Sequence, residues 1–227
     1  KQKRLNWHLA LGLGQENYRF HDHEKLAHYA NAAADIEFKF PFGFKELEGI
    51  HSRTDFDLGA HEKYSGRKLQ YFDPERNETY VPYVVETSIG LDRMFLALFS
   101  HCLKNEVLED GSERVVLALP PALAPVKAAI LPLVKKDGLP ELAEKIFNDL
   151  KYDFNIISEE KDSIGKRYRR QDAIGTPFCI TVDHDSLADG TVTLRERDTM
   201  KQERVKIEDL RKIIDDKVNF RTLLSKI

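Results

Sequence analysis

The sequence predicts an α+β chain in two parts. In the first part, strand signals dominate, since Ile36, Phe38 and Phe40 alternate with charged residues. In the second part, strand and helix patterns follow one another, as in a mixed sheet covered by helices. A polar, glycine-bearing segment at residues 106–113 separates the two patterns. We therefore expect one domain over residues 1–110 and another over residues 111–227.

The composition is that of an ordinary globular chain. Its 227 residues are 41% hydrophobic, and 35 basic residues against 38 acidic ones give a net charge of -3. Such a charge provides no global attraction to nucleic acid, so any RNA binding must come from a local patch. The sequence has no apolar run of membrane-spanning length and no signal-peptide pattern. We expect no membrane partner.

The two cysteines and the first residues bear on the origin of the chain. Cys102 and Cys179 are isolated in apolar surroundings and lack the spacing of a zinc site. They predict buried, reduced thiols and a cytoplasmic protein. Because the chain opens on Lys1 and not on Met, we expect it to be a piece of a longer protein.

One strand of the first part carries a pair of carboxylates. A turn at Pro41 to Gly43 separates the strand at residues 36–40 from a second one at residues 45–50. Glu46 and Glu48 are two residues apart, so a regular strand would place both on one face, with Arg53 as a nearby cation between them. A solvated strand face is the more common interpretation of such a pair. A two-carboxylate hydrolase is the competing enzymatic one.

A strand meets a helix after Gly90. Leu91, Met94, Phe95 and Leu98 have helical spacing and predict a buried helix face. Arg93 then lies in the first turn, where the helix dipole disfavours a cation, so a bound anion such as a phosphate is one explanation. An ion pair with Asp92 or another acid is the alternative.

The second part begins with an apolar run at residues 115–119, which predicts a strand buried on both faces. Helices are predicted over residues 139–150, between Gly165 and Gly175, and from Ile207 to Ile214. The remaining strand candidates lie at residues 154–157, 178–183, 191–198 and 203–207.

Basic residues in this part cluster around the middle helix. Lys166, Arg167 and Arg169 surround Tyr168, with further cations beside them. Alternation along the strand at residues 191–198 predicts that Arg195 and Arg197 share its outer face. Cations interleaved with an aromatic suit single-stranded RNA, whose phosphates they neutralise and whose bases stack. A merely solvated helix face is the more common alternative.

Four segments resemble the class II glycyl-tRNA synthetases of the homodimeric type. The resemblance covers nearly the whole chain, and these segments follow the order of that family: residues 41–58 (PFGFKELEGIHSRTDFDL), 86–93 (ETSIGLDR), 163–172 (SIGKRYRRQD) and 191–200 (TVTLRERDTM). It implies the second half of the antiparallel class II catalytic sheet, followed by an α/β anticodon-binding domain. It favours a ligand site at the strand-to-helix junction.

The resemblance also implies roles for individual residues. Arg93 matches the motif 3 arginine that holds ATP phosphates, and Glu46 is the second residue expected to act in catalysis. The positions matching ATP contacts are Glu46, Leu47, Gly90, Leu91, Asp92 and Arg93. Those matching glycine contacts are Glu86, Thr87, Ser88, Ile89 and Gly90. The expected tRNA contacts are Lys166, Arg167, Tyr168, Arg169, Arg195 and Arg197, and Mg²⁺ is expected at Glu46 with Glu48.

The implied activity is the attachment of glycine to tRNA(Gly) through glycyl-adenylate, with ATP as substrate and a homodimer as the full-length enzyme. Motif 1 and motif 2 precede this region in the family and are not found here; the segment Tyr18 to His21 is the nearest approach to motif 2 and lacks its acid. We therefore expect a C-terminal piece that is inactive alone. A non-catalytic RNA-binding module derived from a synthetase is the alternative.

Overall fold

A computed structural model describes residues 1–225. The chain divides into two compact units. The first comprises Lys1–Leu9 and Leu13–Ser100, and the second comprises Ala10–Gly12 and the residues from His101 onward.

An antiparallel sheet forms the centre of the first unit, with strand order β1-β2-β3-β6. The elements of this unit, in chain order, are α1 (Gln2–Ala10), β1 (Tyr18–Asp22), β2 (Ala32–Phe40), β3 (Gly43–Ser52), α2 (Phe56–Ser65), β4 (Tyr71–Asp73), β5 (Glu78–Tyr80), β6 (Val85–Ile89) and α3 (Leu91–Cys102). Ala10 at the end of α1 and the last two residues of α3 belong to the second unit. The antiparallel strands predicted for this part of the chain are confirmed.

A β-bulge interrupts the pairing of β2 with β3. Ile36 lies opposite Glu48, but its neighbour Glu37 lies opposite Glu46, so Leu47 is the extra residue. Directly opposed residues share a face, and neighbours along β2 point to opposite faces. Glu46 and Glu48 therefore lie on opposite faces of the sheet. The prediction that they share one face is wrong, because the bulge breaks the two-residue period.

Helix α3 begins at the predicted residue, but its apolar stripe is not covered. Leu91 is 82% exposed and Phe95 is 65% exposed, and the Phe95 ring stacks on Phe99 with centroids 5.7 Å apart. Among the residues of α3 that belong to the first unit, Ala97 is fully buried. The prediction that Leu91 and Phe95 are buried is wrong for this chain.

The second unit contains a mixed five-stranded sheet of order β10-β9-β11-β12-β13. Its elements are β7 (Leu103–Val107), β8 (Glu113–Leu117), β9 (Ala128–Pro132), α4 (Leu139–Leu150), β10 (Ile156–Ser158), α5 (Ile164–Ile174), β11 (Phe178–Val182), α6 (His184–Asp189), β12 (Thr191–Glu196), β13 (Gln202–Lys206), α7 (Leu210–Val218) and α8 (Phe220–Leu224). Strands β10, β9 and β11 are parallel, whereas β12 and β13 pair antiparallel.

Helices cover both faces of this sheet. Ala128 and Ile130 of β9 pack into the larger core with residues of α4 and α7. The alternate residues Ala129 and Leu131 pack on the other face, against residues of α5 and Cys179. The mixed, helix-covered sheet predicted for the second part is confirmed. Both cysteines are buried and unbridged, as predicted.

The strands buried on both faces are β9 and β11, not the predicted strand at residues 115–119. In that earlier segment, β8 pairs with β7 in a two-stranded hairpin, and Val115 is 49% exposed. The polar residues 108–112 form the turn of this hairpin. No helix among the described residues has the length and apolar composition that crossing a bilayer requires.

Candidate functional site

One face of the four-stranded sheet collects most of the predicted site residues. On β6, Glu86 lies opposite His51, and Ser88 lies opposite Gly49. Because opposed residues share a face, the carboxylate and the hydroxyl project to the same side of the sheet. Gly49 has no side chain, and the His51 ring and the Asp35 carboxylate border the space that a Cβ would take there, at 3.0 and 3.7 Å.

The bulge brings Glu46 to this same face. Gly49 lies opposite Asp35, and Glu46 lies opposite Glu37. Asp35 and Glu37 are two residues apart on β2, which has no extra residue there, so they share a face. Glu46 therefore joins Glu86 and Ser88, although its position along β3 differs from that of Gly49 by an odd number of residues.

Arg93 reaches Glu46 from the first turn of α3. Its Nη1 donates to the backbone oxygen of Glu46 at 2.6 Å, and the same atom lies 3.5 Å from Oε2 of the Glu46 carboxylate. Both side chains remain about half exposed, at 53% and 54%. The guanidinium is thus oriented by a backbone contact while its other nitrogens face solvent. A group held in this way can bind an anion bidentately.

Arg53 holds the carboxylate of Glu86. Its Nη1 donates to Oε2 of Glu86 at 2.7 Å, and its Nε and Nη2 donate to Asp57 at 2.5 and 3.1 Å. The guanidinium also lies over the ring of Tyr29, 4.0 Å from the centroid. Hydrogen bonds from Arg53 hold the pKa of Asp57 below its usual value. Arg53 does not lie between Glu46 and Glu48 as the sequence suggested, since those carboxylates are on opposite faces.

Glu48 contacts α1 on the opposite face and is fully buried. Its oxygens accept hydrogen bonds from Arg4 and His8. Burial raises the pKa of Glu48, but the hydrogen bonds from His8 and Arg4 outweigh this effect and lower its pKa overall. Glu46 and Glu48 cannot bind one Mg²⁺ together, because the sheet separates them and Arg4 and His8 occupy the Glu48 oxygens. Within the described part of the chain, no three His, Cys, Asp or Glu side chains form a metal-binding group.

The other predicted ligand contacts fall into two groups. Gly90 and Asp92 are exposed at the start of α3, as is Leu91. By contrast, Thr87 lies opposite Ile50 and Ile89 lies opposite Glu48, so their side chains point to the far face. The Leu47 side chain is buried. These three residues can meet a ligand on the site face only through their backbone.

A cluster of histidine and aspartate beside the site was not predicted from the sequence. His23 Nε2 lies 2.8 Å from Oδ2 of Asp35, and the rings of His23 and His51 are 6.1 Å apart. Asp35 and His51 share the face of Glu86. These residues are far apart in sequence, and only strand register brings them together. The signal in the sequence that could have pointed to this cluster is the position of His51 within the family-like segment at residues 41–58.

Three of the predicted RNA contacts are buried in the second unit. Arg167, Arg195 and Arg197 have relative exposures of 2%, 4% and 1%. Arg195 donates to both oxygens of Asp172, at 2.7 and 2.9 Å. Arg167 donates to the backbone oxygens of residues 132, 133 and 159, and Arg197 to those of Gly175 and Leu119. The prediction that Arg195 and Arg197 are exposed is wrong, because this face of β12 is covered.

Tyr168 is also engaged within the unit. Its hydroxyl lies 2.6 Å from Oγ1 of Thr181, and the Arg195 guanidinium lies over its ring at 4.8 Å. Lys166 is exposed and Arg169 is half-buried. Of the predicted RNA contacts, these two cations keep access to solvent. The basic patch is therefore smaller than the sequence indicates.

Comparison with known proteins connects these observations to a family. Residues 127–217 match the model of the anticodon binding domain. A glycine–tRNA ligase of Chlorobaculum tepidum is 55% identical over 206 residues, which cover 90% of this chain and 44% of that protein. The glycine–tRNA ligase of Clostridium perfringens is 53% identical, over 95% of this chain and 47% of its own length. The chain spans about half the length of the curated relatives it matches.

A solved structure shares the fold. The RNA binding domain of threonyl-tRNA synthetase from Cryptosporidium parvum Iowa II superposes with a TM-score of 0.64 at 20% identity, covering 84% of this chain and 44% of that one. This likeness shows the fold, and residues 127–217 carry the match to the anticodon binding domain. The curated relatives in this comparison are glycine–tRNA ligases, and the resemblance seen in the sequence motifs is confirmed.

Proposed function

We propose that this chain is the C-terminal part of an enzyme that attaches glycine to tRNA(Gly) through glycyl-adenylate. The observation that carries the proposal is the common face of Glu46, Glu86 and Ser88, with Arg93 bound to Glu46 at its edge. In this proposal the first unit belongs to the catalytic domain and the second binds the anticodon arm. The relatives that carry the name glycine–tRNA ligase support the choice of amino acid.

Glu86 and Ser88 suit the ammonium group of glycine. Arg53 occupies Oε2 of Glu86, and among residues 1–225 no donor bonds its Oε1. The side chain is 38% exposed, so the free oxygen is open to a ligand. A carboxylate fixed on one oxygen and free on the other pairs well with an ammonium group, and the Ser88 hydroxyl adds a directed hydrogen bond.

Arg93 suits the phosphates of ATP. The guanidinium lies at the start of α3, where the first backbone N–H groups also favour an anion. In the proposed reaction, a carboxylate oxygen of glycine attacks the α-phosphorus, and the bond from that phosphorus to the bridging oxygen breaks. Pyrophosphate leaves with the bonding electrons, and Arg93 stabilises its negative charge. The side chains orient the substrates, and no protein nucleophile is required.

The second step transfers glycine to tRNA. A hydroxyl oxygen of the terminal adenosine attacks the carbonyl carbon of glycyl-adenylate and loses its proton, and AMP leaves. In the second unit, we assign the phosphate contacts to Lys166 and Arg169. Arg167, Arg195 and Arg197 hold the framework of this unit through buried hydrogen bonds and do not read bases.

We propose that the isolated chain does not activate glycine, because the motif 2 arginine that grips the α-phosphate in the family is not among its residues. Removal of one such interaction from a transition state typically lowers a rate by about 10²- to 10³-fold. Robust glycine-dependent exchange of pyrophosphate into ATP by the purified 227-residue chain would contradict this proposal.

The test of the site uses the full-length ligase that carries this segment. Arg93→Ala should lower the single-turnover rate of adenylate formation by about 10²-fold, with glycine affinity changed less than about threefold. Glu86→Ala should mainly weaken glycine binding, since it removes the partner of the ammonium group. Lys1→Met, which removes an exposed ion pair with Asp22, is the matched control.

The two active-site variants distinguish the assignments. If Arg93→Ala weakened glycine binding at an unchanged chemical rate, the phosphate role would be wrong. If the full-length protein bound tRNA(Gly) but never exchanged pyrophosphate, the chain would belong to a non-catalytic RNA-binding module.

A further inference from the structure

Glu48 is a buried carboxylate with no place in the proposed reaction. Arg4 Nε donates to its Oε1 at 2.5 Å and Nη2 to its Oε2 at 3.1 Å, while His8 Nε2 lies 2.7 Å from Oε2. Arg4 and His8 are four residues apart on α1, so one helix face presents both to the sheet. His8 and Glu48 have no exposed side-chain surface. Helix α1 is thus fastened to β3 at this one carboxylate.

The fastening point lies beside the bulge. Glu48 is opposite Ile36, and the next pair along the sheet is Glu46 with Glu37, so Leu47 is accommodated between them. Without the extra residue, Glu46 would project to the same side as Glu48, toward α1. The bulge is therefore what turns Glu46 to the face of Glu86 and Ser88, where Arg93 meets it.

A shift of the strand register would be costly at Glu48. A one-residue slip of a strand moves every side chain to the other face. Here it would take the Glu48 carboxylate away from Arg4 and His8, and the fully buried His8 ring would lose this hydrogen-bond partner. The hairpin turn fixes the pairing from Phe40 with Gly43 to Glu37 with Glu46, and the ion pair fixes Glu48 opposite Ile36, so the two together require the bulged register.

We infer that Glu48 is a positioning residue for ATP binding, acting through the bulge on Glu46 and Arg93. This inference rests on the proposed function, since it needs Arg93 to contact the nucleotide. Glu48 touches no substrate. Its role is to hold the register that places the Glu46 backbone oxygen 2.6 Å from Arg93 Nη1.

The experiment measures pyrophosphate exchange in the full-length ligase with Glu48→Gln. We expect KM for ATP to rise about tenfold and KM for glycine to stay within about twofold. Arg4→Met loosens the same anchor from the helix side and should give a smaller change of the same kind. Lys1→Met is again the control, because it removes a contact of the same chain end without touching Glu48.

A double-mutant cycle separates positioning from general stability. In an Arg93→Ala background, Glu48→Gln should leave KM for ATP nearly unchanged, because the residue it positions is gone. Thermal melting monitored by circular dichroism shows whether each variant is folded at the assay temperature. If Glu48→Gln is unfolded there, Arg4→Met carries the same comparison.

Two outcomes would overturn the inference. One is a lowered melting temperature with both KM values unchanged, and the other is the same tenfold rise with or without Arg93. If Arg93→Ala itself had no effect on adenylate formation, the proposed function would fail, and this inference would fall with it. If Arg93→Ala lowered the rate of adenylate formation as expected but Glu48→Gln left KM for ATP unchanged, only the positioning role of Glu48 would be wrong.

Discussion

Asp172 and Arg195 form a buried two-point ion pair in the second unit. The guanidinium donates to both carboxylate oxygens at 2.7 and 2.9 Å, and the two side chains are 0% and 5% exposed. Arg114 adds a third contact to Asp172 from β8, at 3.2 Å. One carboxylate therefore links α5, β12 and the β7–β8 hairpin.

Removing this carboxylate should strongly destabilise the chain. Asp172→Asn leaves the Arg195 charge buried without an anion, which typically costs about 3–5 kcal/mol. Urea unfolding of the chain measures the loss of stability. Asp137→Asn is the control, since Asp137 is exposed, pairs with exposed groups, and has a positive φ of 63° that Asn tolerates. If the two substitutions lowered the free energy of unfolding equally, the buried ion pair would contribute no more to stability than the exposed one.

The stability of the first unit should depend on pH through Glu48. Its pKa in the folded chain is below the unfolded value of about 4.3, so the folded state favours the ionised form. The contribution of Glu48 is therefore complete above the unfolded pKa and is lost as the pH falls toward the folded one. We expect Glu48→Gln to be less stable than the wild type at neutral pH, with a gap that narrows below about pH 4.

Denaturant midpoints at several pH values measure this gap. Glu46→Gln is the matched control, because the Glu46 side chain is 54% exposed and pairs only loosely with Arg93. Its midpoint should follow that of the wild type at every pH. If the difference in midpoint between the wild type and Glu48→Gln stayed constant down to acid pH, Glu48 would not be ionised and paired in the folded chain.

Under the proposed function, binding of tRNA should depend on the cations that reach solvent. Lys166→Ala and Arg169→Ala should each weaken binding of tRNA(Gly) and lower the slope of log K against log salt by about 0.7 to 0.9 for each phosphate that is no longer neutralised. Filter binding by the full-length ligase at several salt concentrations measures both effects. Lys135→Ala, a change at an exposed lysine outside the patch, should leave the slope unchanged. If neither Lys166→Ala nor Arg169→Ala changed the slope, the RNA would bind at a different surface.

The sequence predicted much of the fold because its local signals agreed with the packing. The helix at residues 139–150 has its predicted bounds, since Leu139, Ala143, Ile146 and Leu150 repeat at helical spacing toward one core. The predictions failed where a single residue changed the register or where distant elements covered a surface. Nothing in residues 45–50 shows that Leu47 is a bulge, because a bulge is decided by pairing with β2.

The site was predicted in part for the same reason. Motif resemblance predicted roles for Glu86, Ser88 and Arg93, and the structure places Glu46 on the same sheet face as Glu86 and Ser88. Alternation on β12 made Arg195 look exposed, whereas Asp172 of α5 covers it. The partner of a buried charge lies far away in sequence. Arg53 was noticed, but its contact with Glu86, 33 residues away, follows from strand pairing and not from local spacing.

Two glycines of α5 should respond oppositely to alanine. Gly175 ends the helix at φ 86°, and a Cβ there would lie 2.9 Å from the backbone oxygen of Leu117. Gly175→Ala therefore combines left-handed strain with a clash against backbone, and we expect a destabilisation of about 1–3 kcal/mol. Gly165 lies in the first turn of the helix, with open space around its Cβ position and no positive φ, so Gly165→Ala should stabilise by about 0.4–1 kcal/mol. Urea unfolding of both variants tests the contrast, and a stabilised Gly175→Ala would show that the turn after α5 differs from the one described.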